Sequence, residues 1–147
     1  MFSQTAEYAL RAISLLAQRH PNSLKTTQIA EATRVPNPYL IKVLQALSRA
    51  GIVKARRGIG GGVSLARELT EVTILDVLNA VDPIQRITEC PIGLAAHGVR
   101  LCPMHSRLDT ALRMIETVFR ETTLAQVLAD PESQAAACKF PRVRVKP

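Results

Sequence analysis

Tryptophan is missing, and the aromatic side chains are limited to two tyrosines and three phenylalanines. A core must therefore be built from aliphatic residues, which the 47% hydrophobic content can supply. Cysteine is scarce: three in 147 residues exclude a disulfide framework and lead us to expect a reducing, cytoplasmic setting. No stretch approaches the ~18 apolar residues needed to span a bilayer, so no membrane partner is expected. A signal-peptide pattern is lacking too, because Glu7 and Arg11 interrupt the first apolar stretch and no cleavage site follows. There is no Cys-x-x-Cys and no nucleophile–base–orienter set, so we expect no enzyme; a thiol oxidoreductase is the rival in that class. Acid is short in one half only. Residues 1–70 hold ten Lys/Arg against three Asp/Glu, whereas residues 71–147 hold nine against nine. The whole formal charge of +7 therefore sits in the first half, as expected of a nucleic-acid-binding segment.

What is present centres on residues 26–65, which read as a helix-turn-helix followed by a two-stranded wing. Asn37 offers an N-cap, Pro38 suits the first helical turn, and Gly51 suits the left-handed residue that ends a helix. At ~100° per residue, Leu40, Val43, Leu44 and Leu47 fall on one face. Pro38, Lys42, Gln45 and Arg49 fall on the other, with Asn37 and Tyr39 at the N-terminal end. Such a polar face can reach phosphates and base edges in a major groove, or be simply solvated. Its neighbours favour the groove. Thr26, Thr27 and Gln28 open a short preceding helix that Val35-Pro36 closes, with Thr26 or Thr27 as its N-cap. Residues 52–56 are β-prone, and 63–65 offer a returning strand across a glycine-rich tip. Arg56 and Arg57 at that tip are placed to meet a DNA backbone or minor groove. A phosphate-cradling nucleotide loop would need a Lys-Ser or Lys-Thr after the glycines, and none follows. The candidate DNA contacts are Thr27, Gln28, Asn37, Pro38, Tyr39, Lys42, Gln45, Arg49, Arg56 and Arg57.

Elsewhere, Ser3 can cap a first helix with Ala6, Ala9, Leu10, Ile13, Leu16 and Ala17 on one face. Thr73 and Asp76 form a capping box before a short helix that buries Ile74, Val77, Leu78 and Val81. No period survives over 82–103, where Cys90, His97 and Cys102 lie, with His105 just beyond. Leu108, Ala111, Leu112, Ile115, Val118 and Phe119 then recur at helical spacing, and we read them as a two-fold dimer seam, the rival being a helix packed on its own domain. Thr122 or Thr123 starts a last short helix. The fold class expected is mainly α: a winged helix-turn-helix with a long C-terminal dimerisation helix.

Several of these motifs, in this order, resemble the Rrf2 family of bacterial winged-helix regulators, relatives of the iron–sulfur-cluster and nitric-oxide-sensing repressors. They are Glu7-Tyr8-Ala9-Leu10-Arg11, Pro38-Tyr39-Leu40-Ile41-Lys42-Val43-Leu44, Ala50-Gly51-Ile52-Val53, the wing glycines, Thr73-Ile74-Leu75-Asp76-Val77-Leu78 and Leu101-Cys102-Pro103-Met104-His105. The resemblance implies a homodimeric transcriptional regulator on a double-stranded, partly palindromic operator, with a sensor loop beside the dimer helix. It divides the chain into a winged-helix domain over 1–81, a sensor loop over 82–103, a dimerisation helix and short terminal helix over 104–129, and a flexible tail over 130–147. Cluster-binding members are similar in carrying three loop cysteines at six-residue intervals. Here Cys90 and Cys102 match the first and third, and Ala96 stands in the middle place with His97 beside it. His105 and Glu7 match further ligands of some members. The resemblance thus implies an iron–sulfur cluster, of the 2Fe–2S kind, held by Cys90, Cys102, His105 and Glu7, the last from the partner chain. A thiol switch on the two cysteines is the alternative, followed by a regulator without a cofactor. Cys138 lies outside the pattern.

Overall fold

A computed structural model describes residues 2–91, 93 and 100–130, which form six helices and a two-stranded sheet. Helix α1 (Gln4–Arg19) starts where expected: the Ser3 hydroxyl accepts the Ala6 N–H at 3.2 Å. Its buried face is wider than the expected stripe, because Ala12 and Leu15 join Ala6, Ala9, Ile13, Leu16 and Ala17, while Leu10 is only half-buried. The reason is position. α1 touches all three other helices of the amino-terminal core and the sheet, so a single stripe cannot serve it.

Helices α2 (Thr26–Thr33) and α3 (Asn37–Arg49) form the helix-turn-helix. Their caps differ from expectation by one residue. α2 is preceded by Lys25, whose N–H is taken by the Gln28 side chain at 2.8 Å, so neither Thr26 nor Thr27 is the N-cap. Arg34 ends α2 at φ 55°, a left-handed geometry that shapes the turn. α3 is preceded by Pro36, which moves Asn37 and Pro38 into the first turn. A proline there still loses no hydrogen bond. Leu40, Val43, Leu44 and Leu47 are buried, and removing a side chain such as Leu47 would cost ~2–5 kcal/mol.

Strands β1 (Val53–Arg56) and β2 (Gly62–Leu65) pair antiparallel, with Val53 opposite Leu65 and Arg56 opposite Gly62. Leu24 adds one more pair beside Val63: its N–H donates to the Val63 carbonyl at 2.9 Å, and the Val63 N–H returns the bond at 2.7 Å. Gly62 is required at that junction, since a Cβ there would stand 2.6 Å from the Leu24 carbonyl oxygen. The wing is thereby tied to the turn between α1 and α2, and the Ser23 hydroxyl donates to the Gly60 carbonyl at its tip.

Helix α4 (Ile74–Val81) has the expected capping box of Thr73 and Asp76, but buries Leu75, Val77 and Leu78, with Ile74 and Val81 half-buried. The helix is covered on two sides, by α1 and α3, which shifts its inner face by one position. Helix α5 (Pro103–Glu121) is 19 residues long and has no buried residue. Helix α6 (Leu124–Ala129) returns to the domain: Leu124 is buried and its N–H donates to the Val72 carbonyl. Aromatic pairs join both ends of this layout to the start of α1. Phe2 stands 5.8 Å from Phe119 of α5, and Tyr8 stands 6.0 Å from Tyr39 of α3 between ring centroids. No helix among the described residues is long and apolar enough to cross a membrane. The expected tail over 130–147 falls outside them, except for Asp130, as does Cys138.

Candidate nucleic-acid interface and metal centre

Burying one face of α3 against α1 and α4 turns the other outward. Asn37, Pro38, Tyr39, Lys42, Gln45 and Arg49 are all exposed on it. Thr27 on α2 and Arg56 and Arg57 at the wing are exposed too. Gln28 is the exception. It is half-buried and its side-chain oxygen accepts the Lys25 N–H at the start of α2, which leaves only its amide to donate to a further partner. Two neighbours escaped sequence reasoning. A groove of about 220 Å³ between α3 and the wing is lined by Ile41, Gln45, Ser48, Thr26 and Ala55. Ile41 is 46% exposed; an apolar residue just off the buried stripe was the available signal. Lys54, exposed on β1, adds a cation that the strand pattern alone did not single out.

At the other end of the molecule, chain segments 15 residues apart meet. Cys102 precedes α5, Pro103 opens it, and His105 occupies its first turn. Cys90 lies beyond α4 in a turn closed by the Gly93 N–H to its carbonyl. The His105 Nδ1 is 3.1 Å from the Cys102 sulfur and 3.7 Å from the Cys90 sulfur, and the donor atoms of all three residues lie within 4.8 Å of one another. All three residues are half-buried. Thiolates and an imidazole at such spacing suit a soft or borderline metal ion.

Glu7 does not join them within the chain. Its exposed carboxylate accepts from Arg11 Nε at 2.9 Å, an ordinary pair one turn apart on α1. Ala96 and His97 lie outside the described residues. Among the described residues the group therefore offers three donors, whereas a 2Fe–2S cluster uses four.

Hydrogen bonds tie the approach to Cys90 onto α5. Arg86, four residues before Cys90, donates from Nε and Nη2 to the two carboxylate oxygens of Asp109 at 2.7 and 2.6 Å. Its Nη1 donates to Glu116 at 3.1 Å, and the Ile87 N–H donates to Asp109 at 3.0 Å. The paired hydrogen bonds from Arg86 hold the Asp109 carboxyl below its ordinary range, and the same bonds raise the guanidinium. Along the outer face of α5, Met104, Leu108, Met114 and Val118 are exposed, while Leu112, Ile115 and Phe119 are half-buried. The expected seam thus splits between solvent and a cleft shared with Phe2.

Comparison with known proteins agrees with this architecture. The family model described as "Rrf2: Iron-dependent Transcriptional regulator" matches residues 2–130. A protein of Aquifex aeolicus (strain VF5), named for an HTH-type transcriptional regulator, is 30% identical over 131 residues, 87% of this chain and 91% of its own. One of Mycobacterium tuberculosis (strain ATCC 25618 / H37Rv) with the same kind of name is 32% identical over 127 residues, 85% of this chain and 79% of its own. Among solved structures, IscR of T. potens superposes with a TM-score of 0.74 at 27% identity, covering 91% of this chain and 90% of that one. CymR, the global cysteine regulator of B. subtilis, gives 0.72 at 23% identity over 86% and 95%, a likeness of fold alone. With the family model spanning most of its length, this chain belongs to the Rrf2 family of transcriptional regulators and is not an enzyme.

Proposed function

We propose that the protein is a homodimeric DNA-binding regulator whose operator affinity is set at the Cys90–Cys102–His105 centre. The observation that carries this reading is one helix with two duties: α5 begins at the centre and presents an exposed apolar face along its length. Two copies joined along that face would present two α3 helices to successive major grooves of a partly palindromic site, with each wing on the flanking backbone. Asn37, Tyr39, Gln45 and Arg49 would face base edges. Lys42, Arg56 and Arg57 would neutralise phosphates, with Thr27 and Pro38 positioning the backbone beside them. A change at the centre would shift the first turn of α5 and bias the population between dimers of different affinity.

We infer an iron–sulfur cluster as the group that responds, with redox or nitric-oxide chemistry as its signal, a reading supported by the family's description as iron-dependent. Cys90, Cys102 and His105 are the residues that would hold a metal group, and a cluster there would supply one-electron chemistry. A thiol switch is the second reading, favoured by two cysteine sulfurs within 4.8 Å of each other. Operator selection from random duplexes, followed by fluorescence anisotropy with reduced, oxidised and chelator-treated protein, tests the proposal. A selected, partly palindromic site whose affinity changes with one of these treatments is expected. Binding that is weak, sequence-independent and indifferent to all three would overturn it.

A further inference from the structure

Resting on the reading of this centre as a metal site, we propose that it holds a single tetrahedral divalent ion, zinc by chemistry, with Cys90, Cys102 and His105 filling three of its four positions. Zinc–thiolate and zinc–imidazole bonds of about 2.3 and 2.0 Å set tetrahedral edges of about 3.8 Å between sulfurs and about 3.5 Å from sulfur to nitrogen. The two sulfur–nitrogen distances here, 3.1 and 3.7 Å, lie on either side of that edge.

A two-iron cluster asks for something else. Each of its irons takes two bridging sulfides and two protein ligands, so the three donors found among the described residues would divide between two metals. Every possible division puts at least one of the Cys–His contacts across the cluster. Donors on different irons stand about 5 Å apart or more, because the iron–iron separation adds to the projections of two bonds. A contact of 3.1 or 3.7 Å would have to open by more than about 1 Å to reach that separation. The support resists that opening, since Arg86 and the Ile87 N–H fix the approach to Cys90 against α5, and Cys102 and His105 ride on the first turn of the same helix. The sequence points the same way, with Ala96 where a further thiolate would be needed.

Zinc fits this set for a second reason. Two thiolates and one imidazole in tetrahedral array favour it over the harder divalent ions. The fourth position would take water or a donor beyond these three, and exchange there would make the centre responsive without any redox change of the metal.

Metal-free, full-length protein titrated anaerobically with cobalt(II) provides the test. Saturation at one cobalt per chain, with thiolate charge-transfer absorption, the strong visible bands of a tetrahedral site and displacement by stoichiometric zinc, is expected. Cys90→Ser and Cys102→Ser, each shown folded by circular dichroism, should weaken zinc by at least tenfold, and His105→Ala should do so with the charge-transfer absorption retained. Parallel reconstitution with ferrous iron and sulfide should leave no acid-labile sulfide on the desalted protein. Two irons and two sulfides retained per chain would overturn the single ion, as would a failure to bind cobalt. DNA affinity is measured on the same samples. One cobalt per chain without any change in operator affinity upholds the ion and sinks only the regulatory reading.

Discussion

Arg86 grips Asp109 with two parallel hydrogen bonds of 2.7 and 2.6 Å, joining the segment that carries Cys90 to the helix that carries His105. Bidentate pairs of this kind fix orientation as well as distance. Because the carboxyl is held below its ordinary range, its contribution to stability is full above the unfolded value of about 3.9. It is lost as pH falls through the lowered, folded value. Asp109→Asn should therefore lower the unfolding midpoint at neutral pH, and the gap from the parent should close as the pH drops below that of the folded carboxyl. Thermal melts across that range check this, and a gap that is constant with pH would remove the ion pair as its source.

On the DNA side, Lys42→Ala is expected to weaken binding to specific and random duplexes alike and to reduce the salt slope by about one. Gln45→Ala should act differently, relaxing preference at one base pair worth about 1–3 kcal/mol while leaving the slope unchanged. Anisotropy titrations at several salt concentrations separate the two. A triple alanine variant of Lys42, Arg56 and Arg57 that binds as tightly as the parent would show that the interface lies elsewhere.

Assembly is best probed at Val118, which is 58% exposed. Ile115 would be an ambiguous choice, since it lines a cleft with Phe2 and Leu112 of its own chain. Val118→Asp costs a monomer little, as exposed substitutions fall within about 0.5 kcal/mol. In a dimer seam the same carboxylate would be buried without a partner, at a cost of several kcal/mol. Sedimentation should show a folded monomer. An intact dimer would exclude this face of α5.

Gly62→Ala should detach the wing without unfolding the domain. The added Cβ, 2.6 Å from the Leu24 carbonyl oxygen, breaks the two bonds that Leu24 and Val63 exchange. A loss of ~1–3 kcal/mol in urea unfolding is expected, with a larger proportional loss in DNA affinity. Equal affinity for DNA in the two proteins would mean that the wing takes no part in binding.

Much of this was legible in the residues. The α3 stripe of Leu40, Val43, Leu44 and Leu47 is periodic because one helix faces one core, and all four are buried. Ser3, Thr73 and Thr123 announced their helices through local hydrogen bonds that need no tertiary context. The misplaced caps at Lys25 and Pro36 show the limit: where several residues in a row can cap, the packing of the turn chooses. Leu75 and Leu15 were missed because a helix covered on two sides has no single face. The convergence of Cys90 on Cys102 and His105 was suggested only through resemblance; no period or propensity spans an irregular loop. Arg86, which anchors that loop to Asp109 and Glu116, carried no sequence signal at all, being one arginine among several.

The two aromatic pairs at the start of α1 have a mechanical meaning. Phe2, just ahead of α1, abuts Phe119, and Tyr8 on α1 abuts Tyr39, so the beginning of α1 joins the C-terminal part of α5 to the recognition helix. In a dimer held through α5, such a strut makes the distance between the two recognition helices a property of the folded chain rather than of the DNA. The protein would then act as a caliper, rejecting half-sites whose spacing is wrong by a single base pair even when every base it touches is right.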